Sequence, residues 1–282
     1  MNLSSSHKVS QLSMSEVTTY RWSLEEDIEH YLAAGFESIG VWRQKLNDYG
    51  EEEGIDLLAA SGLAVSNLLW AGGFTGSDGR SFQEAVRDGC HAVRLAGATR
   101  AGCLIVYPGG RNHHTFRHAE RLFLSALDSL LSLAEAADVT LAIEPMHPAC
   151  AREWTFLTDI ESTIALIERI NSPNLKLVFD TYHFGHDLAL LSNLREIVPH
   201  IALVQLGDRR VPHCPDRQRC SLGTGSVPLR TVLSELLHAG YMGDFDIELA
   251  GLGFGPDNYQ HLLEDSRLRF ERLLPSLSEA NS

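Results

Sequence analysis

The sequence predicts an α/β protein folded as a (β/α)8 TIM barrel, a single domain spanning residues 1–282. Short apolar runs alternate with amphipathic helical patterns along the whole chain. Most of those runs are continuous rather than alternating, as strands covered on both faces read. Counting gives eight strands and eight helices, which a closed barrel accommodates more readily than an open sheet.

The strands are expected at 9–14, 38–42, 64–70, 102–107, 140–144, 175–180, 201–206 and 245–249. Helix signals stand between them. Ser23-Leu24-Glu25-Glu26 reads as a capping box, with Leu24, Ile28, Tyr31 and Leu32 as the apolar stripe behind it. Ser81 to Glu84 and Thr158 to Glu161 repeat the box. Gly35, Gly62, Gly97 and Gly240 each stand where a helix gives way to a strand, as a C-terminal cap requires. Glu51, Glu52 and Glu53 open a helix, where the dipole favours acid. Pro228 starts the next-to-last helix, and the last is expected at 258–274, stopped by Pro275. The longest irregular segment, 207–227, follows the seventh strand, and a loop of that length is usually functional.

Composition bounds the function. With 44% hydrophobic and 21% charged residues, the chain is ordinary for a soluble globular protein. A formal net charge of -14 argues against nucleic acid and anionic membrane as partners. No apolar run approaches the roughly 20 residues of a membrane span, and MNLSSSHKVSQLSM has no signal-peptide core. The five cysteines (Cys90, Cys103, Cys150, Cys214, Cys220) form no CxxC pair. Reduced thiols in a cytoplasmic protein are therefore the expectation.

Four side chains carry the chemistry. Glu144 in LAIEP, Asp180 in LVFDTYH, Gln205 in ALVQLGD and Glu248 in FDIEL each close an apolar run. They fall at the ends of strands five to eight, where a barrel keeps its catalytic residues. Pro145 holds Glu144 in extended geometry. Three carboxylates and an amide oxygen make a hard, oxygen-rich site. It suits one divalent metal, Mn2+ or Mg2+ with Co2+ able to substitute. His183, three residues after Asp180, can reach the same place. Trp70, Tyr107 and Trp154 fall at or after strand ends three to five, where aromatic faces serve sugar sites. Arg209, Arg210, Arg217 and Arg219 crowd the loop after strand seven, with Arg210 and Arg217 taken as the substrate-gripping pair. His113, His114 and His147 lie on the same rim and are read as solvent-exposed. The GTG of Ser221 to Gly225 lacks the setting of a nucleotide loop.

The sequence resembles the xylose isomerase-like TIM barrels, the sugar isomerase/epimerase superfamily, over nearly its whole length. The resemblance rests on WSLEEDIEHYLAAGFESIGVW, LAIEP, LVFDTYH and the stretch from VQLGD through RCSLGTGSVPLRTVLSELLHAGYMGDFDIEL. It implies metal ligation by Glu144, Asp180, Gln205 and Glu248, and a substrate contact by His183. It also implies that Glu144 and Glu248 exchange a proton at the carbon beside a carbonyl. Many members carry histidine where this chain has Gln205, whereas hydroxypyruvate isomerases and 3-dehydroshikimate dehydratases resemble it in carrying glutamine. Zinc-dependent apurinic endonucleases share the fold. They need histidines where this chain has Trp70 and Tyr107, and an Asp-x-His that does not follow Gln205.

The expected function is isomerisation or epimerisation of a small sugar or hydroxy-carbonyl compound by proton transfer through an enediolate. The alternatives are a metal-dependent dehydratase of a cyclic polyol or hydroxy-ketone, and a non-catalytic carbohydrate-binding barrel. The expected partner is a small sugar-like molecule. A homo-oligomer is also among the expected states, since such barrels often pair through rim loops.

Overall fold

The computed structural model describes residues 11–210, 219–250 and 255–274. Eight parallel strands close a barrel: β1 (Leu12–Ser15), β2 (Ser38–Trp42), β3 (Ala64–Gly72), β4 (Leu104–Tyr107), β5 (Leu141–Ile143), β6 (Leu175–Asp180), β7 (Ile201–Leu206) and β10 (Phe245–Ile247). Each pairs with its sequence neighbour, and β10 closes the ring between β7 and β1. Two short strands after β7, β8 (Asp208–Arg209) and β9 (Arg219–Cys220), form an antiparallel hairpin. The segment expected to be irregular is therefore partly ordered by ladder bonds, and its residues 211–218, with Arg217 and Cys214, lie outside the described residues.

The alternation of side chains along a strand sorts the core into two shells. On β4, Leu104 and Val106 face the helices, while Ile105 and Tyr107 face the barrel axis with Leu69, Ala142, Val178 and Leu203. The axis is polar beside β1, β2, β3 and β10. There Ser13, Ser15, Asn67 and Asp246 are buried, and Ser13 Oγ lies 2.6 Å from Ser66 Oγ. Gly40 is required at this spot: a Cβ would stand 2.9 Å from Asn67 Nδ2 and from both Asp246 oxygens.

Local signals account for most of the helices. Ser23 caps the helix Leu24–Ala33 and Ser81 caps Phe82–Ala98, each with the reciprocal glutamate bond of a capping box. Two expectations need correction. The helix Ile160–Ile170 is capped by Asp159, not Thr158, because the Asp159 carboxylate accepts the Ser162 N–H at 2.7 Å. Gly97 lies inside its helix rather than ending it, and Arg100, at φ 54°, takes the left-handed turn. Gly35, Gly62 and Gly240 do take positive φ where expected. No helix among the described residues is long and apolar enough to cross a membrane.

Candidate active site

Strand register brings the predicted residues together. Asp180 ends β6 and pairs with Gln205 of β7, which pairs in turn with Asp246 of β10. Two residues on, Glu248 falls on the same side as Asp246, and its N–H bonds Leu206 O at 3.0 Å. Glu144 follows β5, with its N–H on Val106 O at 3.3 Å. These residues and His183 are buried at the C-terminal mouth of the barrel.

Glu144, Asp180 and His183 present ligand atoms all within 4.8 Å of one another. His183 Nε2 lies 3.6 Å from Asp180 Oδ2 and 3.9 Å from Glu144 Oε1. Gln205 Nε2 donates to Glu248 Oε2 at 2.7 Å, and its Oε1 is buried with no hydrogen-bond partner. His183 Nδ1 is likewise buried without a partner. A buried amide oxygen without a partner is a defect in a closed core and a fit for a hard cation. Glu144, Asp180 and His183 are the group that could hold a metal ion, while Glu248 lies outside it and is held by Gln205 and Arg219.

Of the three described loop arginines, Arg209, Arg210 and Arg219, the structure brings Arg219 to this cluster. Its Nη2 donates to Asp180 Oδ2 at 3.0 Å and lies 2.8 Å from Glu248 Oε1, while Nη1 donates to Glu248 O at 2.9 Å. Arg209 is a buried strut instead: it donates to the carbonyls of Tyr182 and His183 and stacks 4.8 Å from the Tyr182 ring centroid. Arg210 is exposed. Nothing in the loop's composition separates these arginines; only the hairpin register, Asp208 against Cys220 and Arg209 against Arg219, does.

Burial dominates the electrostatics. It raises the Glu144 carboxyl well above the usual range, with the charges of Glu248 and Asp180 adding to the rise and the Tyr107 hydroxyl and Arg219 opposing it. Glu248 is raised by burial and by Asp180, against Arg219. His183 is pushed down to about 4, by burial and then by Arg219 and Arg209 against the pull of Asp180. The imidazole is therefore neutral at pH 7. Tyr107 Oη donates to Glu144 Oε2 at 2.5 Å, a contact the sequence did not signal.

The cluster opens on a cavity of about 550 Å3. Trp70 and Tyr107 both line it, as do Trp42, Trp154 and Cys150, the first and last of which sequence reasoning missed. Arg43 donates to Trp70 O at 2.9 Å and Arg80 to Gly72 O at 2.8 Å, and both arginines bind Asp88. That network fixes the end of β3 behind Trp70. His114 turns back on Thr75 O at 3.2 Å and stacks on His118, outside the cavity lining.

Comparison with known proteins follows the same lines. The family model described as xylose isomerase-like TIM barrel matches residues 28–268. A human protein named "Putative hydroxypyruvate isomerase" is 28% identical over 145 residues, which make up 47% of this chain and 52% of that protein. The match thus spans about half of each. Among solved structures, protein SMc04130 from Sinorhizobium meliloti 1021 superposes with a TM-score of 0.86 at 23% identity, over 94% of this chain and 99% of that one. The IOLI protein, crystallised with a bound zinc atom, gives 0.78 at 20% identity, over 93% and 97%. At these identities the two structures bear on fold.

Proposed function

The chain belongs to the xylose isomerase-like TIM barrel family, and from that premise we propose that it is a divalent-metal-dependent isomerase or epimerase of a small sugar or other hydroxy-carbonyl compound. The observation that carries the reading is the oxygen-rich floor: three buried carboxylates and the partnerless Oε1 of Gln205 at the mouth of one barrel.

Glu144, Asp180, Gln205 and Glu248 would hold the metal, Mn2+ or Mg2+ by the hardness of their oxygens. When bound, a divalent ion supplies Lewis acidity that draws charge from a carbonyl or hydroxyl oxygen. The chain's own residues do the rest. Glu144 and Glu248 are the proton carriers, reaching the carbon beside the carbonyl from two sides. Burial raises both carboxyls above their ordinary range. Neutral His183 offers a hydrogen bond to a substrate oxygen without adding charge. Arg219 supplies positive charge where an enediolate would develop negative charge. Tyr107 keeps Glu144 Oε2 oriented through its hydroxyl. The aromatic walls exclude water from the reacting carbon.

The reading is tested by incubating the Mn2+-supplemented protein with a panel of small ketoses and hydroxy-ketones in heavy water. Deuterium should appear at the carbon beside the carbonyl, with product mass otherwise unchanged. Product lighter by one water would make the enzyme a dehydratase. Turnover with complete retention of hydrogen would mean an intramolecular hydride shift and remove the glutamates from the mechanism.

A further inference from the structure

The cavity is polar at its floor and apolar along its walls. The floor presents Glu144, His183, Arg219 and Glu248. The rest of the lining includes Val17, Trp42, Leu69, Trp70, Met146 and Trp154, with hydroxyls from Tyr20, Tyr107 and Tyr182 among them. Charged side chains return only at the outer edge, with the exposed Arg152 and Glu153. The chain has four tryptophans, and three of them line this one space. The fourth, Trp22, is buried in the core. Trp42, Trp70 and Trp154 are only partly buried, and all three line the cavity, Trp42 and Trp70 also bordering a second pocket beside it.

The rings form a braced wall rather than loose side chains. Trp70 meets Trp154 edge to face at 5.2 Å, and Tyr107 completes the set at 5.9 Å from Trp70 and 5.7 Å from Trp154. Behind them, Arg43 holds the Trp70 carbonyl.

A free pentose or hexose carries a hydroxyl on almost every carbon. With its carbonyl end on the floor, its remaining hydroxyls would meet mostly ring faces, with the Tyr20 and Tyr182 hydroxyls as partners for few of them. A planar apolar group in the same place loses nothing by leaving water and gains ring contacts. A volume of about 550 Å3 also falls within the range that encloses a drug-sized molecule rather than a triose. We infer that the substrate is a hydroxy-carbonyl compound whose reacting end is joined to an aromatic or other planar apolar body seated against Trp42, Trp70 and Trp154. The inference rests on the proton-transfer reading of the floor and narrows the substrate class for that site.

The test compares three probes on the full-length protein supplied with Mn2+: hydroxyacetone, D-fructose and 2-hydroxyacetophenone. Affinity is read by calorimetry, and exchange of the hydrogens beside the carbonyl is read in heavy water by NMR. The aryl ketone should bind at least tenfold more tightly than either of the others. Its advantage over hydroxyacetone should shrink at least fivefold in Trp154→Ala and in Trp42→Ala, with circular dichroism confirming the fold of each. The second variant serves if the first does not fold. Equal or tighter binding of D-fructose would overturn the inference, as would an unchanged ratio in folded variants. Exchange is scored separately. Exchange without preference for the aryl probe removes the inference and leaves the proposed chemistry standing. Selective aryl binding without exchange supports the inference and counts against the proton-transfer reading.

Discussion

The cavity floor groups Glu144, Asp180 and Glu248 around Arg219, while a second buried cluster, just past β1, groups Glu16 and Asp27 around Lys45. Both set carboxylates against one cation, and in both burial raises carboxyl groups above their ordinary range. Their surroundings differ. Lys45 Nζ donates to the Asp27 carboxylate and to Thr19 O at 3.0 Å, and Thr19 Oγ1 donates to Asp27 Oδ1 at 2.6 Å. The Trp42 N–H reaches Glu16 Oε2 at 2.6 Å, and the Asp27 charge adds to the rise of the Glu16 carboxyl while Lys45 opposes it. This second set ties the loop after β1 to the helices Leu24–Ala33 and Arg43–Tyr49, and none of its carboxylates lines the cavity. The floor leaves Gln205 Oε1 and His183 Nδ1 unpaired and opens on a cavity. A perturbed carboxylate is therefore a weak pointer to function on its own. Access to the cavity distinguishes the two clusters, since Glu16 Oε1 is also buried without a hydrogen-bond partner.

The difference can be broken by substitution. Glu248→Gln retains an oxygen ligand and removes a proton carrier, so kcat should fall by about 10²–10⁴-fold while metal content persists. Glu16→Gln, in the sealed cluster, should leave kcat within about twofold of wild type by the same reasoning. Steady-state kinetics with elemental analysis of each variant checks both, and a Glu248→Gln enzyme of full activity would dissolve the distinction.

The next effect runs the other way. Lys45→Met strands Asp27 in the interior, which should cost about 3–5 kcal/mol. Urea unfolding of the variant should show that loss, with the metal stoichiometry of the folded protein unchanged.

The smallest effect is a pH dependence at a buried carboxylate that has no basic partner. Burial pushes Asp246 up to about 7, with the nearby Ser13 and Asn67 opposing the rise and the charges of Glu248 and Asp244 adding to it. A carboxyl raised on folding contributes stability fully present below its unfolded pKa, near 4, and lost as pH rises through about 7. Asp246→Asn should therefore gain on wild type between pH 5 and pH 8 in chelator-treated samples. A constant difference in urea midpoint across that range would show that Asp246 does not titrate there.

The barrel was legible because continuous apolar runs, capping boxes and glycine stops all mark the same elements. The floor was legible because a polar residue ending an apolar run has a fixed place at the barrel mouth, and Pro145 fixes the backbone of Glu144. Arg219 was not singled out, because loop arginines have no periodicity and only a two-residue hairpin decides which one turns inward. The Glu16 cluster was illegible for a related reason. Its members come from a strand end, two helices and a turn, with no spacing to join them. Trp42 was read as the end of a strand, and only barrel closure shows that this end borders the cavity.

The account stands on one metal held by Glu144, Asp180, Gln205 and Glu248. Titrating Mn2+ into chelator-stripped protein, followed by calorimetry, tests it most directly. Wild type should take up about one equivalent, as a single site requires. Asp180→Ala should take up none while unfolding cooperatively, and Glu16→Gln should bind as wild type does. Full Mn2+ uptake by folded Asp180→Ala would contradict the account.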